Sequence, residues 1–214
     1  MSSRTTLVLI AAFVAASLGA FAAYRVFPPT QPNHAPALQA MHRMDPPRVI
    51  APFSLRQSDG TALVPGELKG HWTLVFLGFT HCPDVCPTTL ATLARAQKQW
   101  ESLPETVRPR ILFVSVDPAR DTPDHVGEYA HSFHRDGLAA TADVPTLERF
   151  ARSLSLVFAK MPPADGMPAD AYSVDHSATL VALDPQGRMA GIVQPPFDAA
   201  AIARDMLALT RASR

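Results

Sequence analysis

Residues 73–79, T-L-V-F-L-G-F, form an apolar run with no polar alternation. A central strand buried on both faces requires such a run. A second one, I-L-F-V-S-V, occupies residues 111–116. Between the two, Leu90, Leu93, Ala94, Ala96 and Trp100 return at helical spacing behind Pro87, a residue suited to a first helical turn. Upstream, Phe53-Ser-Leu and Thr61-Ala-Leu-Val flank Asp59-Gly60, which predicts a β-hairpin. Downstream, Thr122 or Asp121 caps a helix opened by Pro123 and running to about His134. A helix over 144–154, a short strand over 156–159 and a polar loop over 161–171 follow. The chain closes with a strand at 178–183, a D-P-Q-G turn, a strand at 189–193 and a helix over 198–211. Strands alternating with helices, then a terminal hairpin and helix, predict a mixed α/β sandwich.

The N-terminal pattern is of another kind. Residues 5–24 are uncharged and apolar, fenced by Arg4 and Arg25, and at about 1.5 Å per helical residue they just span a hydrocarbon core of roughly 30 Å. Residues 1–26 therefore read as a transmembrane anchor. The competing reading is a signal peptide cut at A-F-A, residues 20–22, but the stretch exceeds the usual core of about 7–15 residues. One arginine on each side leaves the charge rule little to count. Under either reading the globular part lies outside the cytoplasm. From Phe27 through Pro52 there are seven prolines, so residues 27–49 read as an extended tether and 50–214 as the domain. Met41, His42 and Met44 read as linker residues.

A chain of 214 residues with 47% hydrophobic side chains holds one well-cored domain plus appendages. Lys plus Arg and Asp plus Glu are both 19, so no clustered positive field gathers a nucleic acid.

The only two cysteines, Cys82 and Cys86, share T-H-C-P-D-V-C-P-T-T at residues 80–89. In open α/β sheets the crevice beyond a strand's carboxyl end is where ligands bind, and this loop opens there. Cys86, just before Pro87, is expected at the helix N-cap, where the dipole and unpaired N–H groups favour thiolate. C-x-x-x-C inserts one residue into the thioredoxin-like redox spacing. It permits a disulfide and also lets both sulfurs converge on one ion. An inert buried pair fits poorly with a polar, proline-locked loop. A purely structural disulfide would close a loop too short to gain much entropy.

Two thiolates need a further donor to hold an ion. His34 and His42 lie in the tether; His125, His131 and His134 are expected on the solvated face of one helix; His71 precedes the central strand at its far end. His81 could be a ligand, a pKa modifier or loop surface. His176 stands in Y-S-V-D-H-S, residues 172–177, just before a strand.

Taken together, F-T-H-C-P-D-V-C-P-T-T, V-S-V-D-P-A-R-D-T-P and Y-S-V-D-H-S-A-T-L-V-A-L-D-P-Q-G resemble the Sco/SenC family of membrane-tethered copper proteins with a thioredoxin-like fold. The resemblance runs from about Pro52 to the last helix. It implies copper bound by Cys82, Cys86 and His176, with the segment 175–177 near the place of the thioredoxin cis-proline. Two thiolates and an imidazole suit Cu(I), and Cu(II) if a further donor joins; zinc usually takes a fourth protein ligand in structural sites. The implied activity is copper carriage rather than turnover, with delivery to the binuclear copper site of a cytochrome c oxidase subunit. Binding needs reduced sulfurs, which implies a thioredoxin-like thiol reductant as a second partner. The implied location is a bacterial-type inner membrane, with the domain on the periplasmic side. The alternative is a thiol–disulfide oxidoreductase in which Cys82 attacks and Cys86 resolves; peroxide reduction is weaker, lacking the usual threonine-proline context. Asp117, Arg120 and Asp121 are expected on the rim of the cysteine loop, as supporting or turn residues. Met161 and Met167 are expected as loop filler or transient thioether contacts.

Overall fold

A computed structural model describes residues 3–26 and 37–213, which belong to two units divided after Ala35. In the first, the stretch expected as an anchor is helical: α1 covers Ser3–Val26. Among the described residues no helix is long and apolar enough to cross a membrane, and the fold does not establish the anchor. Residues 27–36 of the expected tether, His34 included, lie outside the described residues.

The second unit is built on the two apolar runs. β4 (Thr73–Gly78) is buried along its whole length, because it is flanked on both sides. β5 (Arg110–Ser115) pairs with it in parallel, Phe76 opposite Phe113, and β9 (Leu180–Leu183) pairs with it antiparallel on the other side. β6 (Leu138–Thr141) continues the parallel part beside β5. Beyond it lie the hairpin strands β2 (Leu55–Gln57) and β3 (Ala62–Leu63), joined through Gly60 at φ +80°, where a side chain would strain the turn. Beyond β9 come β10 (Met189–Val193) and β1 (Met41–Arg48). The sheet order is β1-β10-β9-β4-β5-β6-β2-β3. Parallel β4 and β5 end on the same rim, which puts the cysteine loop and the D-P-A-R-D-T-P segment side by side.

The helices are α2 (Val85–Trp100), α3 (Pro123–Phe133), α4 (Val144–Ser153) and α5 (Ala199–Ala212). Side chains of Thr122, Asp143 and Asp198 accept the N–H of the third residue beyond them and start α3, α4 and α5. α2 and α5 pack together, and α3 packs on β5, β6 and β2.

Three departures from the sequence pattern have physical causes. Residues 41–48, expected in the tether, form edge strand β1. The buried carboxylate of Asp205 accepts the N–H groups of Gln39, Ala40 and Met41 at 2.8–3.0 Å, and Met41 sinks to 6% exposure against Gly191. No local periodicity announces a strand that a distant carboxylate holds. β6 was not foreseen because L-A-A-T has little intrinsic strand preference; pairing with β5 and burial create it. The strand expected at 156–159 begins later, as β7 (Phe158–Met161), and joins β8 (Ser173–His176) in a separate two-stranded ribbon.

Candidate metal centre

β4 delivers the chain into the loop, and Asp121 fixes how it leaves. The Asp121 carboxylate, 1% exposed, accepts the Thr80 N–H at 2.9 Å, the Thr80 hydroxyl at 2.5 Å and the Ser115 hydroxyl at 2.5 Å. It thus ties the root of the cysteine loop to the end of β5. α2 then begins at Val85 with Asp84 at its N-cap. Cys86 is therefore the second helical residue rather than the cap, and Pro87 sits in the first turn, where no intrahelical N–H is missed.

That position changes the chemistry expected of Cys86. Its side chain turns into the core and is fully buried. A Cβ on Gly78 would lie 2.8 Å from Cys86 Sγ and 2.7 Å from the Phe113 ring, so the sulfur occupies space that only a glycine on β4 leaves open. Burial pushes the Cys86 thiol far up from its ordinary value, with the neighbouring Cys82 adding to the effect. Desolvation outweighs the helix dipole, and the thiolate expected for Cys86 in the metal-free protein is not favoured. Gly78→Ala is expected to cost about 1–3 kcal/mol through overpacking and to displace Cys86; thermal unfolding and metal affinity should both worsen, and an unchanged affinity would show that Cys86 tolerates displacement.

Cys82 is partly exposed, and both cysteines are free thiols. The N–H of Cys86 donates to Cys82 Sγ at 3.4 Å. His176 arrives from β8 with Nε2 3.4 Å from Cys86 Sγ. Its Nδ1 lies 3.2 Å from the Ser177 carbonyl, an acceptor only, so Nδ1 carries the proton and Nε2 keeps its lone pair. Burial lowers the His176 pKa, which keeps the ring neutral. Phe76 and Phe79 stand edge-on to this imidazole at centroid distances of 5.9 and 6.1 Å. The donor atoms of Cys82, Cys86 and His176 all lie within 4.8 Å of one another. Cys82 and His176 border a groove of roughly 260 Å³ lined also by Pro83, Val85 and Asp175, with Cys86 buried behind them. Two sulfurs, a neutral imidazole and an open side suit a soft ion such as Cu(I), which takes few ligands.

A clamp that the sequence reading missed holds β8 in place. Tyr172 donates to Asp117 Oδ1 at 2.7 Å, and Arg120 Nε donates to Asp117 Oδ2 at 2.5 Å. Arg120 Nη1 also reaches the carbonyls of Asp170 and Tyr172, while its guanidinium carbon lies 3.7 Å and Lys160 Nζ 3.4 Å from the Tyr172 ring centroid. Asp117, Arg120 and Asp121 are thus supports: the first two pin the strand carrying His176, the third pins the cysteine loop. Tyr172 stood inside Y-S-V-D-H-S, and its place four residues before His176 was the available signal.

The other candidates lie elsewhere. Met161 and Met167 are exposed and do not line the groove. His71 is buried against the Arg108 carbonyl. His134, expected on a solvated face, is buried at the end of α3 and paired with Glu101 at 3.1 Å. His42 lies in β1, opposite Ile192.

Because Cys86 binds its proton tightly, a metal ion must expel it. The apparent Cu(I) affinity should therefore rise by about tenfold per pH unit for that proton around neutrality. Competition against a pH-insensitive Cu(I) chelator between about pH 6.5 and 8.5 checks this; a flat profile contradicts it.

The family model described as SCO1/SenC matches residues 41–211. The mitochondrial SCO1 homolog 1 of Arabidopsis thaliana is 38% identical over 136 residues, covering 63% of this chain and 39% of that protein, so the chain spans about two fifths of that relative's length. Among solved structures, Arabidopsis thaliana ScoI with copper bound superposes with a TM-score of 0.68 at 31% identity, covering 78% of this chain and 99% of the other. Bradyrhizobium japonicum ScoI with copper bound gives 0.66 at 30% identity, with coverages of 75% and 99%. With its central sheet, its converging Cys-Cys-His donors and a family match across nearly the whole described domain, the chain belongs to the SCO1/SenC family, whose fold is thioredoxin-like.

Proposed function

We propose that this protein is a copper carrier: Cys82, Cys86 and His176 bind one copper ion, and the domain passes it to the binuclear copper site of cytochrome c oxidase. One observation carries the reading. Three donors suited to Cu(I) come from two elements 90 positions apart in sequence and meet within 4.8 Å, beside a groove open to an incoming ligand. Transfer proceeds by ligand exchange, an acceptor sulfur entering from the groove as a carrier ligand leaves. Solved structures of relatives with copper bound support the choice of metal. A family member is also described as belonging to cytochrome c oxidase assembly proteins, which supports the acceptor. The uncharged, apolar sequence of residues 5–24 supports a membrane tether, and the proposed location, a bacterial-type inner membrane with the domain on its periplasmic side, follows the family resemblance. A thioredoxin-like reductant would keep the sulfurs available.

A second reading, thiol–disulfide exchange, is favoured by the asymmetry of the pair. Cys82 is accessible and its sulfur receives a backbone N–H, while Cys86 is buried behind it, as attacking and resolving thiols require.

The deciding measurement is anaerobic Cu(I) titration of the reduced full chain in detergent, followed by X-ray absorption. One equivalent bound through sulfur and one imidazole is expected, with loss of that copper to a reduced binuclear-site acceptor domain. Substoichiometric binding, or copper without a nitrogen scatterer, would sink the carrier reading.

A further inference from the structure

His81 takes no part in the Cys82, Cys86 and His176 cluster, yet its environment is organised. The ring is 48% exposed, and its Nδ1 lies 3.0 Å from Thr80 Oγ1. That hydroxyl donates its own proton to Asp121 Oδ1 at 2.5 Å, so it has only lone pairs left for the ring. His81 Nδ1 must be the donor, and Nε2 is left with a free lone pair. Asp121 Oδ1, 3.6 Å from Nδ1, reinforces the same tautomer. A carboxylate acting on the distal nitrogen of an imidazole is the support that metal-binding histidines use: it fixes ring orientation and raises the basicity of the other nitrogen.

His125, in the first turn of α3, stands opposite. The two ring centroids are 6.1 Å apart, and the planes cross at 87°. Two imidazoles sharing one ion through nitrogens at about 2.0–2.1 Å hold their centroids no farther apart than roughly 6.5 Å. The observed separation falls inside that limit. His125 is exposed, so rotation about its side-chain torsions can close the remaining angle without moving the backbone.

We propose that His81 and His125 form a second, solvent-facing site for a divalent transition-metal ion, Cu(II) or Zn(II), with water completing the shell. The donor chemistry separates it from the first site: imidazoles suit these divalent ions, whereas the thiolate pair selects soft Cu(I). The buried carboxylate of Asp121 serves both sites, holding the root of the cysteine loop and the tautomer of His81.

The test separates this site from the carrier reading by removing the first site. In the full chain in detergent, with Cys82→Ser, Cys86→Ser and His176→Ala together, Cu(II) and Zn(II) are titrated separately, and the Cu(II) form is examined by pulsed EPR. Adding His125→Ala should remove one bound equivalent and with it the two-imidazole nitrogen signature, whereas His131→Ala, an exposed residue on the same helix, should do neither. Unchanged stoichiometry and nitrogen count in the His125→Ala background, or an equal effect from His131→Ala, would overturn the proposal. Should the triple variant fail to fold, wild-type protein with its thiolate site filled anaerobically with Cu(I) takes its place. Zn(II) titration must then show one equivalent that His125→Ala removes.

Discussion

Replacing His176 by alanine is expected to weaken Cu(I) binding by more than about a hundredfold, roughly 2.7 kcal/mol or more. Loss of a supporting group that merely orients a metal ligand costs 10–100-fold, and here the ligand itself is removed. The substitution leaves both sulfurs in place, because Cys86 is held by the pocket under Gly78 and Phe113 and Cys82 by the loop tied to Asp121. X-ray absorption should lose its nitrogen scatterer while retaining sulfur. The same variant separates the two functional readings, since exchange between thiols and disulfides needs the cysteine pair and not the imidazole. Disulfide reductase activity that survives alongside unchanged copper affinity would point to the oxidoreductase. Arg120 extends the argument to a residue that touches no donor: because it holds Asp117 and the carbonyls of Asp170 and Tyr172, its loss should act by letting β8 drift.

The largest stability effect is expected at Asp205, far from the cysteines in sequence. Its carboxylate receives the N–H groups of three successive residues at the start of β1, and charge-assisted bonds of this kind are among the stronger ones. Asp205→Ala leaves the buried Met41 N–H without a partner and is expected to cost about 3 kcal/mol. For a domain of this size that lowers the melting temperature by roughly 6–12 °C. Hydrogen exchange should quicken first in β1 and in β10 beside it, as expected for a segment that opens locally. Copper binding should persist, because β4 is separated from β1 by β9 and β10 in the sheet. A melt within about 2 °C of wild type, less than the shift expected for 1 kcal/mol, would mean that sheet pairing alone retains β1.

The sites of these two predictions were unequally legible. His176 could be named from Y-S-V-D-H-S, since three separated segments in fixed order pointed to a shared function. Asp205 could not, because an acidic residue within an apolar helical pattern gives no sign of the backbone it will reach 166 positions away. β1 was lost with it, its prolines and polar residues resembling a linker. The short strand β6 escaped for a related reason: its four residues carry no strand signature until β5 supplies a partner.

What the sequence determined by itself was everything set over a few residues: the central strands from unbroken apolar runs, the helices from their spacing and capping residues, and the loop joining Cys82 to Cys86. Tertiary structure decided how deep each group lies and what it meets. The order of residues around Cys86 pointed to a helix terminus and a stabilised thiolate. Packing instead carried that sulfur into the core and pushed its pKa up, and it brought the clamp of Asp117, Arg120 and Tyr172 together from the end of β5 and the start of β8. Periodicity and capping act through neighbours along the chain, whereas desolvation and long-range hydrogen bonds depend on neighbours in space, which only the folded chain supplies.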